Sequence, residues 1–151
     1  MVEFERKESY NIDDLIRIVE LLRSPEGCPW DKEQTHKSIR QDFIEEVYEA
    51  IEAIDLEDTE LLREELGDVL LQVVFHCQIE RENKNFVFDD ICDELCKKLI
   101  VRHPHVFGDL TVSDSGEVLK NWDSIKKKTK CQETYTDTLN AVAKSLPALM
   151  R

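Results

Sequence analysis

Two short acidic segments are the part of this sequence best suited to chemistry. In each segment two carboxylates stand three residues apart, and the pairs are Glu46 with Glu49 and Glu65 with Asp68. Residues three apart project from one face of a helix. If the two helices pack antiparallel, four carboxylates converge, and protons or cations must neutralise their repulsion. A divalent ion such as Mg²⁺ suits this role, because it prefers oxygen ligands and bridges carboxylates to phosphates.

The surroundings of the acidic pairs favour a site, although a purely solvated helix face stays open as an alternative. Both pairs border predicted apolar stripes. Gly67 lies inside the second segment, where glycine costs about 1 kcal/mol relative to alanine in a helix. It indicates close approach of another backbone or a ligand, or simply helix packing. A di-iron centre is disfavoured because it needs Glu-x-x-His twice, and the chain shows it once, at Glu33 and His36.

The composition predicts one all-α domain. The chain has 151 residues, of which 41% are hydrophobic, and only four Gly and four Pro, as is typical of helical proteins with one sizeable core. A net charge of −13 argues against non-specific binding of nucleic acid or anionic membrane. Five cysteines without a Cys-x-x-Cys motif indicate neither a disulfide framework nor a zinc site. No signal peptide or membrane-spanning run is evident, so a cytoplasmic protein is expected.

Helical periodicity predicts five helices that position the acidic pairs. Asn11 or Asp13 caps the first helix, and residues 24–27 end it. An irregular connector follows at residues 28–31, before a hairpin of two helices that carry the acidic segments. The last four helices are predicted at residues 38–56, 59–83, 88–101 and 113–129, with a turn at 103–108. The residues predicted to be buried are Phe43, Val47, Ala50, Ile51 and Ile54, then Leu62, Leu66, Val69, Leu70, Val73, Val74 and Cys77, then Ile91, Leu95 and Leu99.

Four sequence blocks, in order, resemble those of MazG-type nucleoside triphosphate pyrophosphohydrolases. The blocks are CPWDKEQTH at 28–36, EEVYE at 45–49, EELGDVLLQVVFH at 64–76 and VRHPHVF at 101–107. The resemblance extends roughly over residues 11–130. It implies the all-α NTP pyrophosphatase fold, resembling a four-helix bundle, and Mg²⁺-dependent hydrolysis of NTP to NMP and pyrophosphate, often with broad base tolerance. It also implies a homodimer or higher homo-oligomer, and Mn²⁺ is the expected substitute ion.

The resemblance also implies the metal ligands. The family's acidic motifs fall on Glu46, Glu49, Glu65 and Asp68, which are therefore the expected ligands and catalytic residues. Their neighbours Glu45 and Glu64 point about 100° away around the helix and are expected to support the ligands, form salt bridges or face water. One of the acids could instead orient or deprotonate the attacking water, and the identity of that base stays open.

Positive charge for the triphosphate is expected from the later helices. Lys98 and Arg102 share one face of the fourth helix, and Trp122 and Lys126 repeat this spacing on the fifth. The family places a basic residue near the phosphates in both regions. Lys126 also belongs to a lysine run that could simply be a solvated helix end.

A few aromatic and polar residues are candidates for other contacts. Trp30, in the connector, is the candidate for stacking on the base, with a hydrophobic plug over the helix ends as the alternative. Gln34 or His36 could hydrogen-bond a base edge. His103 and His105 flank a proline and are expected to be structural.

The domain is predicted to occupy residues 1–131, followed by a tail at 132–151 that resembles the start of a linker to a missing second domain. Two classes of function stay open. One is an enzyme, with broad base tolerance or a narrower preference for pyrimidine or deoxynucleotides. The other is a catalytically weak nucleotide-binding or regulatory module with the same fold.

Overall fold

The computed structural model describes residues 2–132 and 134–146, except for the side chain of Tyr135. Within these ranges the protein is helical and has no strand, which confirms the predicted all-α class. No helix in the described part is long and apolar enough to cross a membrane. The helices are α1 (Ile12–Leu22), α2 (Pro29–Glu33), α3 (Arg40–Asp55), α4 (Thr59–Glu82), α5 (Phe88–Arg102), α6 (Pro104–Phe107), α7 (Ser115–Thr129) and α8 (Tyr135–Asn140).

The chain divides into a first compact unit that ends at Ile91 and a second that begins at Cys92, within α5. The first unit is built on the antiparallel hairpin of α3 and α4, and α1 packs on α4. Its core lies along residues 69–79 of α4, which contain no Asp, Glu, Lys or Arg. The sequence predicted that several residues of this stretch are buried. The core residues are Val19, Ile39, Val74, Phe75 and Ile79, with Leu15, Ile16, Leu71 and Phe88 packed against them.

Polar caps set where the helices of this unit begin. The Asn11 side chain accepts a hydrogen bond from the Asp14 backbone amide, and the Asp14 carboxylate accepts one from the Asn11 amide. This reciprocal pair confirms Asn11 as the cap of α1. Asp58 caps α4 by accepting from the amides of Glu60 and Leu61. Because only Leu56–Asp58 separate α3 from α4, the two helices must return antiparallel.

The connector between α1 and α3 was predicted to be irregular. It instead contains the short helix α2. Proline at its first position supports the helix start. Arg23, whose side chain is 5% exposed, holds this segment against α4. Its guanidinium donates to both carboxylate oxygens of Glu82, at 2.9 and 2.8 Å, and to the carbonyl oxygens of Asp31 and Gln34. It also lies 5.1 Å from the centre of the Phe75 ring.

The predicted burial of the hairpin is confirmed for Ala50, Val74 and Cys77 but is wrong for five of its apolar residues. Helix α3 turns Ala50 and Ala53 inward, at 7% and 0% exposure. Small side chains at the contact let two helices approach closely, and one partner helix covers only one side of each. The residues predicted to be buried that are exposed in this chain are Val47, Ile51, Ile54, Leu66 and Leu70.

The second unit also departs from the prediction in three respects. The predicted turn at 103–108 contains the helix α6, which begins at Pro104. Leu95 and Leu99 of α5 were expected to be buried and are exposed. Asp114 caps α7 by accepting a hydrogen bond from the Glu117 amide at 2.9 Å, so this helix starts two residues later than predicted.

Candidate metal centre and phosphate-binding residues

Three carboxylates of the α3–α4 hairpin meet in one place. An oxygen from each of Glu46, Glu49 and Glu65 lies within 4.8 Å of the other two. Glu46 and Glu65 are half-buried, whereas Glu49 is exposed. The arrangement follows from the i, i+3 spacing on α3 and from the antiparallel course of α4, which brings residue 65 opposite residue 49.

The crowding of negative charge perturbs two of these acids. Partial burial raises the pKa of Glu46 above its ordinary value, and the charges of Asp68, Glu49 and Glu65 raise it further. Partial burial also raises the pKa of Glu65, followed by the charges of Glu49, Asp68 and Glu64. Asp68 is therefore close enough to act electrostatically, although it is not one of the three converging carboxylates. Such a cluster favours any species that neutralises it.

The donor set fits a hard divalent cation. All three converging groups supply carboxylate oxygen, which suits Mg²⁺ or Mn²⁺ better than a soft metal. In residues 2–132 and 134–146, no other group of three His, Cys, Asp or Glu side chains comes together as closely. The raised pKa values of Glu46 and Glu65 show that these residues lack a compensating positive charge.

The neighbouring residues Glu45 and Glu64 stand apart from the three-carboxylate group. Both are exposed, and Glu45 accepts a hydrogen bond from the Gln41 side chain at 3.2 Å. Gly67 lies on the open side of α4, where a Cβ atom would meet nothing within 4 Å. Helix packing among the described residues therefore does not explain this glycine.

The residues considered for base contacts differ in availability. Trp30 is 60% exposed on α2, so it is not a hydrophobic plug in this unit. Gln34 donates through its side-chain amide to the Trp30 carbonyl at 2.8 Å and accepts from the Ser38 hydroxyl. The ring nitrogens of His36 contact His76 and Glu80. The side chains of Gln34 and His36 are thus already engaged within the protein.

In the second unit, a buried arginine stacks on an aromatic ring. Arg102 is 8% exposed, and its guanidinium lies 5.4 Å from the centre of the Trp122 ring. Its Nε is buried and has no hydrogen-bond partner in the described part of the chain. Lys98, one turn earlier on α5, is exposed, and Lys126, one turn after Trp122 on α7, is half-buried. Arg102 and Trp122, which the sequence placed on two different helices without pairing them, are therefore in contact.

Two histidines beside this pair were given no site role by the sequence. His103 meets the Trp122 ring edge-on at a centroid distance of 4.7 Å, and its Nδ1 hydrogen-bonds the Leu99 carbonyl at 2.6 Å. The Nδ1 of His105 is buried without a hydrogen-bond partner among the described residues. No periodic signal links residue 103 to residue 122, because α6 and a loop separate them.

The fold and the acidic hairpin define a class of known protein structures. The chain resembles the crystal structure of a mazG-related protein from Thermotoga maritima, with a TM-score of 0.64 and 25% sequence identity. The similarity covers 77% of this chain and 99% of that structure. The protein is therefore an all-α member of the MazG-related fold.

Residues 34–107 match the MazG nucleotide pyrophosphohydrolase domain. This chain is 49% identical over 141 residues to the nucleoside triphosphate pyrophosphohydrolase of Escherichia coli K12, covering 93% of this chain and 54% of that protein. It is 53% identical over 118 residues to a nucleoside triphosphate pyrophosphohydrolase/pyrophosphatase MazG of T. maritima, covering 78% and 45%. An uncharacterised Bacillus subtilis protein, YabN, is 51% identical over 134 residues, covering 89% and 27%. The chain thus carries a MazG-type domain, which confirms the resemblance, and it spans about half or less of these relatives.

Proposed function

We propose that this chain hydrolyses nucleoside triphosphates to nucleoside monophosphates and pyrophosphate with Mg²⁺, and that it tolerates different bases. The observation that carries the proposal is the convergence of Glu46, Glu49 and Glu65 within 4.8 Å. The names of the E. coli and T. maritima relatives support the choice of reaction.

The ion would be held by Glu46, Glu49 and Glu65, with Asp68 as the fourth ligand. When bound, Mg²⁺ supplies positive charge to phosphate oxygens and lowers the pKa of the attacking water, and Mn²⁺ is the expected substitute. The four acids would hold the ion beside the substrate, and one of them would orient or deprotonate the attacking water. The raised pKa values of Glu46 and Glu65 mean that their charged forms are poorly compensated in the free protein.

The substrate phosphates would be bound by Arg102, with Lys98 and Lys126 as further cations. Among the described residues Arg102 forms no ion pair with a carboxylate. A buried guanidinium in this state favours an anion, and its planar shape matches two phosphate oxygens. The contact with Trp122 supports this role because it restricts the orientation of the guanidinium. Trp30 would stack on the base through its exposed indole face, and stacking accommodates every base.

Self-association as a homodimer is part of the proposal. Val47, Ile51 and Ile54 follow the spacing of one helix face on α3 and are exposed. A second copy of the chain would cover this face. Sedimentation of the wild type is expected to show a dimer, and Ile51→Lys is expected to shift it towards monomer. A monomeric wild type would overturn this part.

The cytoplasmic location stays a prediction, as does the division of the chain into a domain that ends at residue 131 and a tail that begins at residue 132. Residues 133 and 147–151 of that tail lie outside the described residues.

The direct test is to incubate the purified protein with each NTP and dNTP in Mg²⁺ and to separate the products. NMP and pyrophosphate are expected, and comparable rates across bases would support broad tolerance. Glu49→Ala is expected to lose turnover, while Glu45→Ala, a neighbouring exposed acid on the same helix, serves as the matched control. Release of NDP and orthophosphate, or Glu49→Ala matching the wild type, would contradict the reaction. Nucleotide binding without turnover would favour the regulatory module.

A second test isolates ion binding from catalysis. A ligand that binds only the folded state raises its melting temperature by mass action. Mg²⁺ is therefore expected to raise the melting temperature of the wild type, and Asp68→Asn is expected to lose most of the shift. An equal shift in both proteins would remove Asp68 from the ligand set.

A further inference from the structure

A cluster of two histidines and a glutamate closes the hairpin on the side opposite its turn. His36, which precedes α3, places its Nδ1 2.7 Å from the Nδ1 of His76 and its Nε2 2.5 Å from an oxygen of Glu80. The two imidazole rings stack, with centroids 4.9 Å apart and planes 16° from parallel. Phe43 of α3 packs on the His76 ring at 5.5 Å. We call His36, His76 and Glu80 the histidine clasp.

The hydrogen-bond roles in the clasp follow from its carboxylate. Glu80 accepts a bond from the Asn85 side chain and one from His36, and both bonds lower its pKa. Since an ionised carboxylate only accepts, the Nε2 of His36 carries a proton. In the neutral ring the Nδ1 of His36 is then an acceptor, and the Nδ1 of His76 donates to it.

The position of the clasp relates it to the acidic cluster. His36 stands four residues before the start of α3, which carries Glu46 and Glu49, while His76 and Glu80 follow Glu65 on α4. The hairpin is thus closed by the Leu56–Asp58 turn at one end and by the clasp at the other. Helices move as stiff rods with a rise of 1.5 Å per residue, so displacement of the first turn of α3 passes along to its acidic pair.

We propose that His36 is a positioning residue that holds the first turn of α3 against α4 and thereby sets the separation of the acidic pairs. The proposal rests on the proposed metal centre. Metal sites require their ligands within about 0.5 Å of the working geometry, and α3 and α4 contribute ligands from opposite sides. No sequence motif indicates this role, because residues 36 and 76 meet only in the folded hairpin.

Two substitutions at His36 separate positioning from bulk. His36→Gln keeps a donor and an acceptor on one planar group and can bond both Glu80 and His76. His36→Leu keeps much of the volume and removes both bonds. Lys37→Leu makes the same kind of change at the next residue, which is exposed, and is the matched control.

The first measurement is hydrogen exchange of the whole chain without added metal. Faster exchange in the first turns of α3 is expected in His36→Leu, whereas His36→Gln and Lys37→Leu should match the wild type. The second measurement is Mn²⁺ binding by calorimetry, in which His36→Leu is expected to bind more weakly than the wild type, because the ligands on α3 and α4 are no longer held at a fixed separation. Rescue by His36→Gln in both measurements would distinguish positioning from general loss of stability.

Unchanged exchange in α3 together with unchanged Mn²⁺ affinity in His36→Leu would overturn the proposal. Equal losses in His36→Gln and His36→Leu would also overturn it, because the bonds would then not be responsible. If the wild type binds no Mn²⁺, the metal part of the proposed function fails, and the exchange data alone then decide whether His36 holds α3.

Discussion

Removing one charge from the acidic cluster should stabilise the metal-free protein while abolishing its response to metal. The substitution is Glu46→Gln, which keeps the shape of the side chain. Two unit charges within 4.8 Å of each other repel by about 1 kcal/mol in bulk water, and this is a lower bound because Glu46 is half-buried. Glu46 faces Glu49 and Glu65, so the expected gain is about 1–2 kcal/mol at low salt, and less at 0.15 M salt.

The size of this effect depends on pH. The pKa of Glu46 is raised in the folded protein, so its charged form opposes folding above that pKa. The penalty disappears as pH falls towards the ordinary value near 4.5. Glu46→Gln should therefore be most stabilising near neutral pH and nearly neutral in effect at about pH 4.5.

The assay is thermal and urea unfolding of the wild type, Glu46→Gln and Glu45→Gln, each with and without Mg²⁺. A gain of 1–2 kcal/mol corresponds to roughly 2–8 °C for a chain of this size. Glu45→Gln should change little, because Glu45 is exposed and outside the three-carboxylate group. The reasoning is refuted if Glu46→Gln is destabilised in the absence of metal, or if its melting temperature rises with Mg²⁺ as much as that of the wild type.

Three further predictions concern the hairpin and its surroundings. Arg23→Met should destabilise the protein by about 3 kcal/mol in urea unfolding, because Glu82 and the carbonyl oxygens of Asp31 and Gln34 lose their donor. Arg17→Met, which removes an exposed ion pair, should cost under about 1 kcal/mol. Similar losses in the two variants would contradict the anchoring role of Arg23. Gly67→Ala should raise the melting temperature by about 2–4 °C, because its Cβ would meet nothing within 4 Å among the described residues. A lower melting temperature, in a protein that sedimentation shows to be a dimer, would indicate that a second copy approaches there. Burial, followed by the nearby His36, lowers the pKa of His76. The free energy of unfolding should therefore decline as pH falls below about 6.5 towards that lower pKa. The same measurement on His76→Gln across this pH range should lack the decline.

Local patterns in the sequence were sufficient for the five longer helices and for the acidic pairs. Asn11 was one of the two residues predicted to cap the first helix, and such a prediction is possible because capping depends on residues only a few positions apart. The spacing of Glu46 with Glu49 places both on one face for the same reason. Four ordered blocks were also sufficient to predict the MazG-type domain, which the comparison over residues 34–107 confirms.

Burial within the hairpin was only partly predictable: Ala50, Val74 and Cys77 are buried as expected, but the outer apolar residues are not. Val47 and Ile51 have the periodicity of a core stripe, yet Ala50 and Ala53 face α4. An amphipathic pattern shows which side of a helix is apolar, but it does not show whether the chain itself covers that side. The short helices α2 and α6 were missed because proline signals a break and a helix start equally well. The short helix α8 was also missed, because its region was predicted to be a polar tail.

The sequence by itself determined which residues could hold a cation, since spacing along a helix is a local property. Tertiary structure decided which of them converge. It brought Glu46, Glu49 and Glu65 together, and it left Asp68 outside this group of three. It also decided the contacts that hold the hairpin, such as Arg23 with Glu82, which lie 59 residues apart. These contacts depend on how two helices are rotated and offset against each other, and that information is distributed over the whole packed unit.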